Sequence, residues 1–540
     1  MIAIDRPVEA PVSAAVPLAA AGLRAMLTDG GELVILDVRE ELIYSQGHLL
    51  HAHSAPLSRL ELRVPALVPR RGTRIVLCDD DGSLAARAAA TLRRHGYTDL
   101  FILEDGVGAW VAAGHELFSG VHVPSKAFGE FIEHDRGTPG IEPAELDRLL
   151  ASGAKLVVLD SRPFDEYTRM SIPTGIDVPG AELVLRVRDL APSPDTLVVV
   201  NCAGRTRSII GAQSLIDAGV PNKVVALRNG TMGWSLAGLK CDTGMSRQAP
   251  RPSADGLAWA KAAAGRVAAR CGVERIDGET LRRFQAESAA RTLYLFDVRD
   301  PAEYRAGHVA GAVSAPGGQL VQATDQYVGT LGARIVLVDD LDVRALMTAA
   351  WLRQMGWSHV FVLAETGSET GVPPSPVLGL ADRPQSRIDG RTLRDLLDRG
   401  EATVVDLSLS RAFRVSHIPG AWFAIRSRLA IALRKIPPAR NLVLTSDDGV
   451  LASLAVAEAE ALTAAPVRCF DGGNAAWAGA GYPMESGDAR LADEPIDAWL
   501  KPYERASGVS AAMADYLAWE VDLLERVKRD GTCSFQPGRP

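Results

Sequence analysis

A chain of 540 residues, 47% hydrophobic and 23% charged, has ordinary globular composition and length for roughly three or four domains, which argues against coiled-coil, collagen-like or largely disordered architectures. Its 58 basic and 66 acidic residues leave a net charge of −8, so no broad basic face is expected and nucleic acid is set aside as a partner. Six cysteines without a CxxC pair are too few and too scattered for a disulfide framework or a structural zinc site. No apolar run approaches the roughly 20 residues needed to span a bilayer, so no membrane segment is expected. The first 23 residues lack a basic n-region and are broken by three prolines and by acidic residues. A cytoplasmic protein without a leader is expected.

Taken in chain order, one pattern recurs. Unit one begins with the apolar run LVILDVRE around Asp37. It continues through RIVLCDDD and the helix-like LAARAAATLRRHG to Gly96, and closes with DLFILEDG. Unit two runs LVVLDSRP around Asp160, TLVVVNCAGR, RSIIGAQSLIDAG to Gly219, then KVVALRNG. Unit three has LYLFDVRD around Asp297, RIVLVDDL, a helix-like stretch to Gly356 and HVFVLAET. Unit four has TVVDLSLS around Asp406, NLVLTSDD, a stretch to Thr463 and VRCFDGG. The short β-branched runs bounded by turn residues read as buried strands. The stretches between them read as helices, three of which stop at glycine.

Strand alternating with helix predicts an α/β fold of tandem domains, each a mostly parallel sheet flanked by helices on both faces. The expected units cover residues 10–120, 140–242, 275–370 and 385–485. Less regular connectors are expected at 116–142 and 241–275. A Pro-rich stretch at 371–386 replaces the end of unit three. Residues 486–540 form a tail with helical spacing, expected to dock on another unit.

The repeat supplies its own alignment. Counting 42 residues from the strand-ending aspartate reaches Asp79, Cys202 and Asp339 in units one to three, and 40 residues reaches Ser446 in unit four. Unit two alone places a thiol at the strand-to-helix loop, in Asn201-Cys202-Ala203-Gly204-Arg205-Thr206-Arg207. A side chain at the carboxyl end of a parallel strand faces the ligand crevice. Free amides at the following helix N-terminus favour an anion, and Ala203 and Gly204 let the backbone curl into a nest of N–H donors. Arg205 and Arg207 add positive charge, so each feature favours a thiolate and a bound anion. Cys78 lies one position before the equivalent site and is expected to point elsewhere.

The ordered set of motifs resembles the rhodanese (thiosulfate sulfurtransferase) family, in a four-repeat bacterial arrangement covering most of the chain. It rests on Asp37-Val38-Arg39, Asp160-Ser161-Arg162 and Asp297-Val298-Arg299, with Gly47-His48, Gly307-His308 and His417-Ile418-Pro419-Gly420-Ala421. Late Gly/Trp segments also carry it: Gly106 to Trp110, Gly230 to Trp234 and Gly472 to Trp477. The resemblance implies that Cys202 carries a persulfide. Amides of Ala203, Gly204, Arg205, Thr206 and Arg207 cradle its outer sulfur, and the side chains of Arg205 and Arg207 select the donor. Asp160 and Arg162 are expected to brace the loop. The family's histidine is replaced by Ser171 in unit two, so it has no catalytic part there, and units one, three and four are expected to be inactive.

The implied reaction is a double displacement from thiosulfate to cyanide or a thiol, needing no metal or cofactor. A 3-mercaptopyruvate donor, a persulfide carrier or scaffold for a partner protein, and phosphatase or arsenate reductase chemistry are the alternatives. Against the last two, the spacing Cys202 to Arg207 is Cys-x4-Arg, one residue shorter than the Cys-x5-Arg loop that wraps a tetrahedral oxyanion.

Overall fold

The computed structural model describes residues 15–380, 386–438 and 440–536. Residues 1–14 of the stretch read for a leader, 381–385 of the Pro-rich connector and 537–540 of the tail lie outside the described residues.

Each unit builds a five-stranded sheet. Numbered along the chain within a unit, its strands stand in the order 1-5-4-2-3. All pairs within these sheets are parallel. In unit two the strands are Gly140–Ile141, Leu156–Asp160, Ile176–Asp177, Leu197–Asn201 and Val224–Leu227. Both faces of the central strand Leu197–Asn201 are covered, which is why VVVN is buried throughout and reads as a continuous apolar run. Its last residue pairs with Asp160 at the end of its neighbour, so both strands deliver their next residues to one edge.

A short helix follows the fifth strand in units one, two and four: Gly106–Ala112, Gly230–Leu236 and Gly473–Gly479. In unit three the strand Val360–Leu363 leads straight into the connector, with no α-helix among the described residues before the next unit. The histidines of the repeat are core residues. His48, His308 and His417 stack on Tyr44, Tyr304 and Phe413 at 3.9, 4.0 and 3.8 Å between ring centroids. Ser171 replaces them in unit two and keeps the same backbone bridge, to Asp242, that His48 makes to Phe118.

The connectors are more regular than expected. The first contains the helix Val123–Arg136 and the second the helix Ala254–Arg270. Both supply apolar faces to a single cluster that spans units two and three, joining Phe128, Val200 and Ala264 to Tyr294, Leu337 and Trp351. Small residues along Ala254–Arg270 (Ala260, Ala263, Ala264) allow this close approach. Units one and four meet through the buried pair Glu61–Arg426, with contacts of 2.8 and 2.9 Å. The tail helix Val509–Asp530 packs on Val123–Arg136. Leu523 and Val527 bury with Phe118 and Ala127, and Met513 and Leu517 bury with Met232 of unit two. Among the described residues no helix is long and apolar enough to cross a membrane.

Candidate active site

Cys202 follows the central strand of unit two and stands before the helix Thr206–Ala218. Two backbone hydrogen bonds pin the loop from the short helix Gly230–Leu236: the Thr231 amide donates to the Cys202 carbonyl at 2.9 Å and the Met232 amide to the Ala203 carbonyl at 3.0 Å. Gly230 makes this approach possible. Its φ is +53°, and a Cβ there would stand 2.3 Å from the Cys202 carbonyl oxygen, so the Gly/Trp motif is a docking surface for the loop. From the other side, Asp160 accepts from Arg162 Nε at 2.8 Å and from Asn201 Nδ2 at 2.8 Å. Asp160 and Arg162 thus form a buried pair that also holds the residue preceding Cys202.

The sister units show what the corresponding amides of their own loops bind. In unit one the Asp79 carboxylate accepts from the amides of Gly82, Leu84 and Ala85 at 2.5, 2.7 and 3.1 Å. In unit three Asp339 accepts from Leu341, Val343, Arg344 and Ala345 at 3.2, 3.0, 2.8 and 3.3 Å. In unit four the Ser446 hydroxyl accepts from Ala452 at 3.3 Å. The corresponding amides of unit two, Gly204 to Ser208, donate to no protein acceptor among the described residues. Units one and three therefore fill their own anion cradle with a carboxylate, while unit two keeps a thiol at its mouth and the cradle open.

Cys202 is 2% exposed, yet it lines a cavity of about 160 Å³. The thiol donates to Ser208 Oγ at 3.5 Å, and Ser208 donates to the Arg205 carbonyl at 2.8 Å. Other parts of the chain line the cavity as well: Lys126 from the first connector, Gln319 from unit three, and Lys501, Tyr503 and Tyr516 from the tail. Lys126 Nζ lies 2.9 Å from Glu520 Oε1. Burial opposes the lysine charge, but Glu520 facing it more than offsets that cost and raises Lys126. Glu520 is fully buried and its second oxygen has no hydrogen-bond partner among the described residues. That oxygen abuts Gly204, where a Cβ would stand 3.0 Å from it and 2.9 Å from Met232 Cε, so the loop admits only glycine without a shift.

The sequence-derived residues come together, with one redirection. Cys202 and residues 203–207 all line the cavity. The Arg205 guanidinium, expected to select the donor, instead engages the first connector. It contacts Glu130 twice at 2.7 Å, and also Glu133 and Asn229. Two carboxylates offset its charge, while its amide remains in the cradle. Arg207 reaches Glu166 at 2.7 Å and Gln319 at 2.9 Å. Burial would raise Glu166, but Arg207 and Lys501 hold its carboxyl well below the usual range. Glu166 escaped the sequence reading although the repeat carries a signal. It lies six residues after Asp160, as Glu303 does after Asp297. Each pairs with the arginine five residues after its loop position, Arg207 and Arg344. Lys126, Lys501, Tyr516 and Glu520 had no such signal.

Fold and site together define a class: a tandem α/β array in which one copy of four holds a cysteine at an open anion cradle. The Rhodanese-like domain model matches residues 19–113, 142–237, 279–366 and 390–480, and the chain belongs to that family, with four copies of its domain. It is similar to the crystal structure of a thiosulfate sulfurtransferase from Pseudomonas aeruginosa, at 48% identity and TM-score 0.94 over 97% of this chain and 100% of that one. Among curated proteins it is 34% identical over 110 residues to an HTH-type transcriptional regulator of Mycobacterium tuberculosis, which is 20% of this chain and 47% of that protein. It is 33% identical over 81 residues to the human centrosomal protein of 41 kDa, 14% of this chain and 22% of that protein. The chain thus spans less than half the length of these curated relatives.

Proposed function

We propose that the protein is a sulfurtransferase that moves the outer sulfur of thiosulfate to a thiophilic acceptor, cyanide or a thiol, through a persulfide on Cys202. The observation that carries this reading is the open amide cradle beside Cys202, set against the self-filled cradles at Asp79 and Asp339. The similarity to a solved thiosulfate sulfurtransferase over nearly the whole chain supports it.

In the first step the Cys202 thiolate attacks the outer sulfur of thiosulfate. A bond forms between the two sulfurs, the bond to the sulfonate sulfur breaks, and its electron pair leaves with sulfite. The acceptor then attacks the terminal sulfur, and the pair of the broken S–S bond returns to Cys202. Splitting the transfer in two predicts ping-pong kinetics. The amides of Gly204 to Ser208 receive the charge gathering on the outer sulfur, and they are already oriented before reaction. Arg207 faces the departing sulfite. Asp160 and Arg162 act as positioning residues, through Asn201. The units with Asp79, Asp339 and Ser446 have no thiol at this position and serve as walls and braces.

Treatment with thiosulfate is expected to add the mass of one sulfur atom to the peptide bearing Cys202, with one sulfite released per adduct, and cyanide should then remove it. An unmodified Cys202 alongside continuing transfer would refute the assignment. Gly230→Ala tests the pinning of the loop. Its methyl group must push the Cys202 carbonyl, and a displacement of this kind should lower the rate of sulfur loading by roughly tenfold or more. An unchanged rate would mean that loop position is not set there.

A further inference from the structure

The cations around the Cys202 cavity are not equally available. Arg205 faces two carboxylates, Glu130 and Glu133, and Lys126 faces the buried Glu520. Arg207 and Lys501 share a single carboxylate: Arg207 Nη2 lies 2.7 Å from Glu166 Oε2, and Lys501 Nζ lies 3.2 Å from Glu166 Oε1. Two positive charges against one negative leave this part of the wall with an excess positive charge. All three side chains line the cavity that holds Cys202.

Lys501 does not belong to unit two. The tail is held on unit four at Asp497, whose carboxylate accepts from the Ser410 amide at 2.7 Å. It crosses unit one, where the Trp499 amide donates to Glu41 at 3.2 Å. Within the tail the Lys501 amide donates to Glu504 at 3.1 Å, and Glu504 also accepts from Arg169 of unit two at 3.3 Å. The backbone is therefore fastened while the lysine side chain stays 39% exposed. Its ammonium group meets one carboxylate, Glu166, and is otherwise not consumed in packing.

We propose that Lys501 is a specificity-determining residue which, with Arg207, holds the sulfonate end of a doubly charged donor while the outer sulfur meets Cys202. The inference rests on the sulfurtransferase reading and adds the element that distinguishes donors by charge. Glu166 keeps the two cations together when no anion is bound. A singly charged donor gains less from the second cation, because Coulomb attraction scales with the product of the charges.

The test compares the loading of Cys202 by thiosulfate and by the singly charged methanethiosulfonate ion, which carries the same kind of outer sulfur, in single turnovers of the full chain. Lys501→Met should slow loading by thiosulfate by about tenfold, the loss of one charge-assisted hydrogen bond, and slow loading by methanethiosulfonate clearly less. Release of the bound sulfur to the neutral thiol dithiothreitol should be unchanged. Lys501→Arg should restore most of the thiosulfate rate, and Lys528→Met, a surface charge on the tail helix, should leave it unaltered. Equal slowing with both donors, no slowing at all, or equal loss in Lys501→Met and Lys501→Arg overturns the inference while the proposed function stands. A wild-type chain that takes no sulfur from either donor defeats the proposed function, and this inference with it.

Discussion

Cys202→Ser should lower sulfur transfer by at least about a thousandfold, the scale on which losing a covalent nucleophile acts, and leave the fold intact. The thiol sits at a strand end, and its hydrogen bond to Ser208 at 3.5 Å is one that a hydroxyl can also make. A hydroxyl cannot take up and release a sulfur atom. Cys202→Asp sharpens the test, because it recreates the arrangement of units one and three. The new carboxylate should turn into the amides of Gly204 to Ser208, as Asp79 and Asp339 do into theirs. This protein should be as inactive as the serine variant but more stable than it, by about 1–2 kcal/mol for newly satisfied amides. Chemical denaturation of the two variants reads the difference, and a less stable aspartate variant would mean that the cradle does not bind anions. Cys78→Ser should be nearly silent in the same assay. Cys78 is fully buried, its thiol points to the Leu36 carbonyl at 3.7 Å, and burial pushes that thiol up. A large loss there would place the reactive sulfur elsewhere.

Arg344→Ala should be the most destabilising single change at the junction of units two and three. The guanidinium is completely buried. It touches Asp339 at 2.9 Å, Glu182 at 2.9 Å, Glu303 at 2.5 Å and Asp340 at 2.7 Å. Glu182 belongs to unit two, so the arginine ties the neighbouring unit to the loop that matches the Cys202 loop. Removing it leaves Asp339 buried without its cation and Glu182 with Arg186 alone, at 2.8 Å, and breaking a buried ion pair from one side costs about 3–5 kcal/mol. Removing the exposed partner in Lys528–Glu525 should cost less than about 1 kcal/mol. Denaturation midpoints at neutral pH report both, and a loss at Arg344 no larger than at Lys528 would show that the network contributes little. Arg344 and Arg207 occupy the same repeat position. Asp339 draws Arg344 inward and closes its loop. Cys202 offers no carboxylate, and Arg207 turns to Glu166 and to Gln319 of unit three.

The repeat made most of the fold readable. Four apolar runs ending in aspartate, each followed by a second run about 40 residues later, required parallel strands side by side, and Asp160 and Asn201 do pair in register. It also isolated Cys202, because only an internal alignment shows that a thiol stands where the sister units carry Asp79, Asp339 and Ser446. The connectors were less readable. The helix Val123–Arg136 carries glycine and scattered charges, and its apolar residues make sense only against two different neighbours, the cluster around Phe128 and the tail helix.

What the linear order determined by itself was local: strand, loop, helix and the nucleophile between them, since these follow from residue types within a few positions of each other. What only the tertiary structure decided was the charge around that nucleophile. Arg205 and Arg207 read as two available cations, yet one is turned away by Glu130 and Glu133 and the other shares Glu166 with Lys501, which lies some 300 positions further along the chain. Electrostatic interactions depend on distance in space, and burial strengthens them, so the net charge that a ligand meets is set by which distant carboxylates the packing brings within reach.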